Sequence, residues 1–245
     1  MKKLILYFIV ALFSCSAYSQ VLTNDTTNRT DAKGNKQGYW KKIVRDTLRY
    51  EGTFKDNIPV GKFKYYYGDG KLKTTMIYSN NGKFCTATTY YPSGKKEAEG
   101  FYTNMKKDSV WKYYGENDTI VSEEHYKNNL KNGVWKFYYS NGAINEEVTW
   151  VNDVRNGPWE MYYTDGKKKL DGKIINDLWQ GMFKYYFPDG NIYYTGLYKN
   201  NVKDGIWMEF NEDGQGVKKE TYLNGILWKS DDLLPKKDTI QPQKQ

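Results

Sequence analysis

The chain is short of the residues from which most active sites are built. It has one histidine, His125, and two cysteines, Cys15 and Cys85, among 245 residues. So few leave no Cys/His cluster for zinc and no histidine-based triad around any serine. Arginine is scarce as well: only Arg29, Arg45, Arg49 and Arg155, although the formal net charge is +8. Readers of phosphate and bases favour the bidentate guanidinium fork, so a positive balance carried by lysine does not point to nucleic acid. Lysines on strands also keep an exposed sheet from pairing edge to edge. Long apolar runs are missing too. The run at residues 4–13 is too short to span a bilayer with the usual ~20 residues. The Asp-Gly pairs lack the 12-residue ligand spacing of a calcium loop, and nothing calls for a cofactor or metal.

That apolar run follows Lys2-Lys3 and precedes Ala17-Tyr18-Ser19. A basic start, a short apolar stretch and small residues at the −3 and −1 positions describe a secretory signal peptide over residues 1–19, cut before Gln20. Cys15, after Leu12-Phe13-Ser14, offers the alternative of a lipoprotein cysteine. Cleavage before Gln20 removes two lysines from the 37 basic residues, leaving 35 against 29 acidic ones, and leaves Cys85 as the one cysteine. A single cysteine forms no internal disulfide, so packing must hold the fold even in an oxidising compartment. Residues 20–37 and 229–245 are polar and aperiodic, and read as a flexible leader and tail.

What is present is a repeat. Blocks of 24 residues begin at Gly61, Cys85, Ser109, Gly133, Gly157, Gly181 and Gly205, after a shorter block at Gly38. Counting from the leading glycine, position 3 is aromatic (Trp40, Phe63, Trp111, Trp135, Trp159, Phe183, Trp207) except at Ala87. Position 6 is Tyr66, Tyr90, Tyr114, Tyr138, Tyr162, Tyr186 and Phe210, positions 9 and 10 are usually Asp-Gly or Asn-Gly, and position 20 is asparagine throughout the full blocks. A fixed period of this size marks a repeat architecture, and it argues for one domain over residues 38–228.

Asp-Gly between alternating aromatic runs predicts a two-residue hairpin turn. A turn at positions 9 and 10 pairs 7 with 12, 5 with 14 and 3 with 16. One face then carries Trp135, Phe137, Tyr139, Ile144, Val148 and Trp150. Glycine at position 16 (Gly100, Gly172, Gly196) leaves room for the ring opposite it, though Gly100 faces Ala87. The second face carries positions 4, 6, 13 and 15, setting Lys112 against Glu123 and Lys136 against Glu147, while Glu160 meets Asp171. Cys85 reads as a drifted glycine position and His125 as a structural residue. An isolated hairpin is marginal, so eight must stack. The fold expected is all-β: an elongated, twisted, single antiparallel sheet of about sixteen strands, roughly 75 Å long at ~4.8 Å per strand. Glu209, Asn211 and Gly216 at apolar positions suggest a polar cap on the last block.

The segment GLYKNNVKDGIWMEFNEDG (196–214) resembles the MORN repeat, in the variant found in bacterial proteins often labelled antitoxin-like. The resemblance runs from about Gly38 to Trp228. It implies hairpins in an elongated sheet acting as a scaffold or interaction surface, and carries no catalytic residues across. Glucan- and choline-binding wall repeats share the Trp, Tyr-Tyr and Asp-Gly signature, but with a period nearer twenty. The function expected is therefore a non-enzymatic module binding a protein partner at the cell envelope, with a carbohydrate-binding module as the alternative. The candidate face is the tyrosine row Tyr66, Tyr90, Tyr114, Tyr138, Tyr162 and Tyr186 beside Lys64, Lys112, Lys136 and Lys184. Tyrosine offers large contact area with a polar end; it is also simply a good strand residue.

Overall fold

The computed structural model describes residues 26–234, so the signal segment, Cys15 and the end of the tail lie outside the described residues. The described chain is one antiparallel sheet of twenty strand segments running as a meander. Each hairpin pairs with the next, as strand Val154–Tyr162 does with Ile144–Val151 before it and Lys168–Ile175 after it. The sheet does not close. Lys36–Val44, with Arg29–Thr30 along it, stands at one end and Ile226–Asp232 at the other.

Eight hairpins are present, followed by a single further strand. The sheet thus reaches beyond 38–228 at both ends. Arg29–Thr30 and the turn around Asp31, whose carboxylate accepts from the backbone N–H of Lys33 and Asn35 at 2.9 Å each, belong to the segment expected as a leader. At the other end the strand continues to Asp232, so the polar block is not the edge, and Trp207 within it is wholly buried.

The turns exchange the roles expected of them. At positions 7 to 11 the N–H of Tyr139 donates to the carbonyl of Ala143 and the N–H of Gly142 to that of Tyr139, with Gly142 at φ +85°. This is a three-residue loop with a glycine bulge, so Tyr138 pairs with Ile144 and the expected pairing of 7 with 12 does not occur. Below the bulge the expected register holds: Phe137 pairs with Glu146, Lys136 with Glu147 and Trp135 with Val148. The two-residue turn lies instead at positions 20 and 21. Asn152 and Asp153 have φ of +50° and +69° between the paired Val151 and Val154, the double left-handed geometry of a type I′ turn, which asparagine and aspartate tolerate best. That explains the asparagine at every position 20.

Stacking is secured by contacts between repeats. The position-21 residue docks on the strand two before it: the N–H of Asp153 donates to the carbonyl of Lys131 at 3.0 Å, and the N–H of Lys131 to the Asp153 carboxylate at 2.7 Å. At the other end, the hydroxyls of Tyr67, Tyr91, Tyr139 and Tyr163 each donate to a carbonyl 23 residues on, at 2.6–2.8 Å.

The core is the first face, as the alternation requires, and its largest rings are those of position 3. A Cβ on Gly52, Gly100, Gly172 or Gly196 would meet Phe63, Trp111, Phe183 or Trp207 at 2.1–2.4 Å. Each of these rings belongs to the following repeat and not to the glycine's own hairpin. Gly100 opposite Ala87 is therefore no exception, because its tenant is Trp111. Beside the ring, the leading glycine opens a β-bulge, as at Gly205 with φ +67°. In the disrupted ladder the indole N–H takes a backbone carbonyl: Trp111 donates to Phe101, Trp135 to His125 and Trp207 to Leu197, at 3.0–3.1 Å.

Cys85 is not a drifted glycine. Its strand, Phe84–Tyr90, pairs with Leu72–Ser79 without any register shift, and the connecting turn occupies four residues, 80–83, where other repeats use two. The two residues that elsewhere form the bulge sit in the turn, so Met76 still meets Ala87 in the common register. Without a bulge no glycine is required, and the buried Cys85 thiol is pushed up to about 11 by burial.

Candidate functional site

The second face is where the sequence places the candidate residues, and the structure arranges them in rows. Lys112 meets Glu123 at 3.0 Å and Lys136 meets Glu147 at 2.8 Å, as the register demands. Lys64 reaches Glu51 at 3.5 Å. Where two acids face each other, Glu160 and Asp171, Lys168 bridges them at 2.8 and 3.6 Å. Lys184 is exposed, between Asp171 and Thr195.

The tyrosine row is tied into this ladder. Tyr66 donates to Glu51 and Tyr114 to Glu99, at 2.6 Å each, and Tyr162 donates to Glu147 at 3.1 Å and to Glu160. Glu51, Glu99 and Glu147 thus each hold a tyrosine from the repeat that follows, while Glu160 holds Tyr162 of its own strand. Burial pushes Tyr138 up to about 12, helped by the Glu123 charge, and burial with the Glu99 bond does the same for Tyr114. The carboxylates answer in the opposite sense. Hydrogen bonds from Tyr39 and Tyr66 hold Glu51 below the usual range, and those from Lys96 and Tyr114 hold Glu99 there. Burial pushes Glu123 up, but the bonds from Lys112 and Tyr138 outweigh it. Tyr90 lacks such a partner position, since Thr75 stands where other repeats place a carboxylate. Tyr186 feels Asp171 but is mainly raised by burial. All six tyrosines are half-buried. What the row offers a partner is ring surface, with lysines at its side.

A second row on this face was not singled out from the sequence. Toward the asparagine turns, the residue that opens the incoming strand is apolar and exposed in five places: Ile58, Leu130, Leu178, Val202 and Ile226. Its cross-strand and next-row neighbours Ile77, Val134, Val151, Met182, Ile206 and Leu223 are exposed too. Direct pairing of Val151 with Val154 and of Lys136 with Glu147 puts this row and the ladder on one face. The signal was present as a β-branched or leucine residue two places after the asparagine, but strand propensity alone explains such residues. Only the one-sided packing shows that nothing covers them.

On the other face lysines serve the core. Lys131 lies 4.4 Å from the Trp135 ring and 4.2 Å from that of Trp150, and Lys203 sits among Tyr194, Trp207 and Tyr222 at 4.5–4.8 Å. Such cation–π contacts keep long stems over the rings. His125 lies on the second face, paired with Val110, and contributes its backbone carbonyl to Trp135. Among the described residues no group of three or more His, Cys, Asp or Glu is placed to hold a metal ion, and no helix is long and apolar enough to cross a membrane.

Comparison with known proteins follows the same repeat. The family model described as the MORN repeat variant matches residues 59–80, 86–104, 107–128, 131–152, 179–200 and 203–224. Residues 153–178 fall between matches, yet strands Val154–Tyr162 and Lys168–Ile175 form the same hairpin there. No curated protein matches the chain. Among solved structures, "Crystal Structure of TarM" is similar over 39% of this chain and 19% of that one, at 12% identity and a TM-score of 0.30, too slight a likeness to bear on function. With six matched repeats covering just over half its length, and the hairpin stack they require, the chain belongs to the MORN repeat variant family.

Proposed function

We propose that the protein is a non-enzymatic binding scaffold whose second face holds a protein partner at the cell envelope. The observation that carries this reading is the uncovered apolar row beside the Lys–Glu–Tyr ladder. Single-layer sheets solvate one face, and a solvated face is ordinarily polar; this one repeats exposed Ile, Leu, Val and Met in hairpin after hairpin. Contiguous exposed apolar surface with a polar rim is the anatomy of an interface. The rows recur every two strands, roughly 10 Å, so the face is a ruler that suits an elongated partner. Export after cleavage before Gln20, or lipidation at Cys15, would place it in the envelope, and the antitoxin-like resemblance implies the same class of partner, a protein.

The test is capture from envelope extracts by the wild-type chain and by Met182→Asp/Ile206→Asp, whose exposed positions leave folding intact. The expected result is a defined partner retained by the wild type and lost by the variant. Partner capture that is indifferent to those changes would overturn the reading. A glycan ligand is the second reading, carried by the half-buried tyrosine rings; a glycan array in which Tyr138→Ala and Tyr162→Ala abolish binding would establish it instead. Intact mass of the native product decides processing: a mass beginning at Gln20 supports export, and one beginning at Cys15 with added diacylglycerol supports the lipoprotein.

A further inference from the structure

The ring pattern of the core fails in one repeat, and the failure leaves space. In the hairpin of Phe84–Tyr90 and Lys96–Thr103, positions 3 and 5 are Ala87 and Thr89. The repeat before has Phe63 and Tyr65 there, and the repeat after has Trp111 and Tyr113. Met76 and Ala87, themselves largely covered, lie at the bottom of a groove of about 510 Å³ that Tyr65, Tyr66, Thr74, Thr89, Tyr102 and Met105 also line. That size is within the ~300–1,000 Å³ usual for small-molecule sites.

Two cations stand at the groove, Arg49 and Lys73. Arg49 is half-buried, and among the described residues it has neither an ion-pair nor a hydrogen-bond partner. Among the described residues Lys73 has the Tyr67 ring alone, at 5.5 Å. The ladder lysines, by contrast, are mostly paired. No carboxylate lines the groove; Glu51 nearby is already held by Tyr39, Tyr66 and Lys64. A guanidinium at the rim of apolar surface, with no carboxylate in the groove lining, can take an anion in a charge-assisted bond without displacing a partner.

We propose that this groove binds a small apolar carboxylic acid, with its carboxylate at Arg49 and Lys73 and its body over Ala87, in the volume that aromatic rings occupy in the neighbouring repeats. The floor of the groove, Met76 and Ala87, lies on the core face, opposite the Lys–Glu–Tyr ladder, although Tyr66 of the tyrosine row also lines it; the acid site does not depend on the partner proposed for the second face.

Titration calorimetry of the full chain with 2-naphthoate and with decanoate tests this, with 2-naphthalenemethanol as the uncharged control. Saturable one-to-one binding of at least one acid is expected, tighter than that of the alcohol. Arg49→Gln should weaken the acid about tenfold, as loss of one charge-assisted bond implies, and leave the alcohol unchanged. Met76→Gly/Ala87→Trp rebuilds the glycine and ring of the other repeats; it should abolish binding of all three while keeping or raising the melting temperature. Should that variant fail to fold, Thr89→Tyr fills the same space from position 5. Absence of saturable binding by the wild type, equal affinity for acid and alcohol, or binding that survives a folded groove-filling variant would each overturn the proposal.

Discussion

The junctions at Gly205 and at Cys85 bring hairpins into the same register by two different routes. At Gly205 a two-residue turn, Asn200-Asn201, is followed by a bulge. The Trp207 indole donates to the Leu197 carbonyl beside the bulge, and its ring lies on Gly196. At Cys85 the turn is two residues longer, the ladder is regular, and Ala87 faces Met76. The comparison teaches that a two-residue turn, a bulge at the left-handed leading residue and a position-3 ring go together, with position 16 either glycine, as at Gly196, or a side chain, as at Val148 opposite Trp159. Cys85 and Ala87, with the longer turn, replace that combination. Both routes bury their junction residues, Trp207 at 0% exposure and Cys85 at 1%, but the second has small side chains at the core and a groove above them.

The largest expected effect separates the two routes directly. Trp207→Ala should cost ~3–5 kcal/mol, the range for a large aromatic lost from a core, whereas Ala87→Gly should cost no more than ~1 kcal/mol. Denaturant melts give both values. Trp135→Ala belongs with the first, and Tyr138→Ala on the half-solvated face should cost clearly less; equal losses would mean the faces are wrongly assigned, since a one-residue slip exchanges them.

Gly196→Ala comes next. Its Cβ would lie 2.1 Å from a Trp207 ring atom, an overpacking worth ~1–3 kcal/mol. Relief of that loss by Trp207→Phe in the double variant, giving less than the summed costs, would show that the pair acts across the repeat boundary.

A sharper test applies one substitution to one repeat position and expects opposite signs. Ser109 holds φ +58° without being glycine, so Ser109→Gly should stabilise by about 0.5–1 kcal/mol. Cys85 lies in a regular strand, where Cys85→Gly should destabilise by at least ~0.5–1 kcal/mol. Losses at both positions would remove the argument that Cys85 marks a junction without a bulge.

The smallest effects concern the ladder. Folded Glu51, Glu99 and Glu160 titrate below their usual values because tyrosine and lysine partners stabilise the charged form. Their contribution is full above the unfolded value of ~4.3 and is lost as pH falls through the lower folded values. Tyr39, Tyr114 and Tyr138, pushed up to about 12, behave in the opposite direction: their contribution is full below the unfolded value and disappears as pH rises toward 12. Melting temperature against pH should therefore fall at both extremes. Thr75→Glu, supplying Tyr90 with the carboxylate it lacks, should add at most ~1 kcal/mol and steepen the acid limb; an unchanged limb would mean that the rung does not form.

Much of this was legible in the residues. Alternation around Trp135 and Trp150 identified the buried face, because side chains on a strand must alternate. The pairs Lys112–Glu123 and Lys136–Glu147 gave the register, because opposite charges can meet only if the strands align that way. Asp-Gly misled about the turn. Glycine in left-handed geometry serves a two-residue turn and a three-residue loop with a bulge equally well, and only the hydrogen bonds between Tyr139 and Ala143 tell them apart. Of the candidate face, the six tyrosines were visible as a row, but their engagement by glutamates of the preceding repeats was not, since it spans strands that are not paired hairpin partners.

By itself, then, the sequence determined the period, the all-β hairpin stack and which side chains share a face, since these follow from local chain geometry and from a pattern of period two. Tertiary structure alone decided which repeat each ring packs into, why Cys85 needs no glycine, and which apolar residues remain uncovered. Those depend on contacts between strands of different repeats, where a ring from one hairpin fills a space left by another, and no single block carries both halves of the fit.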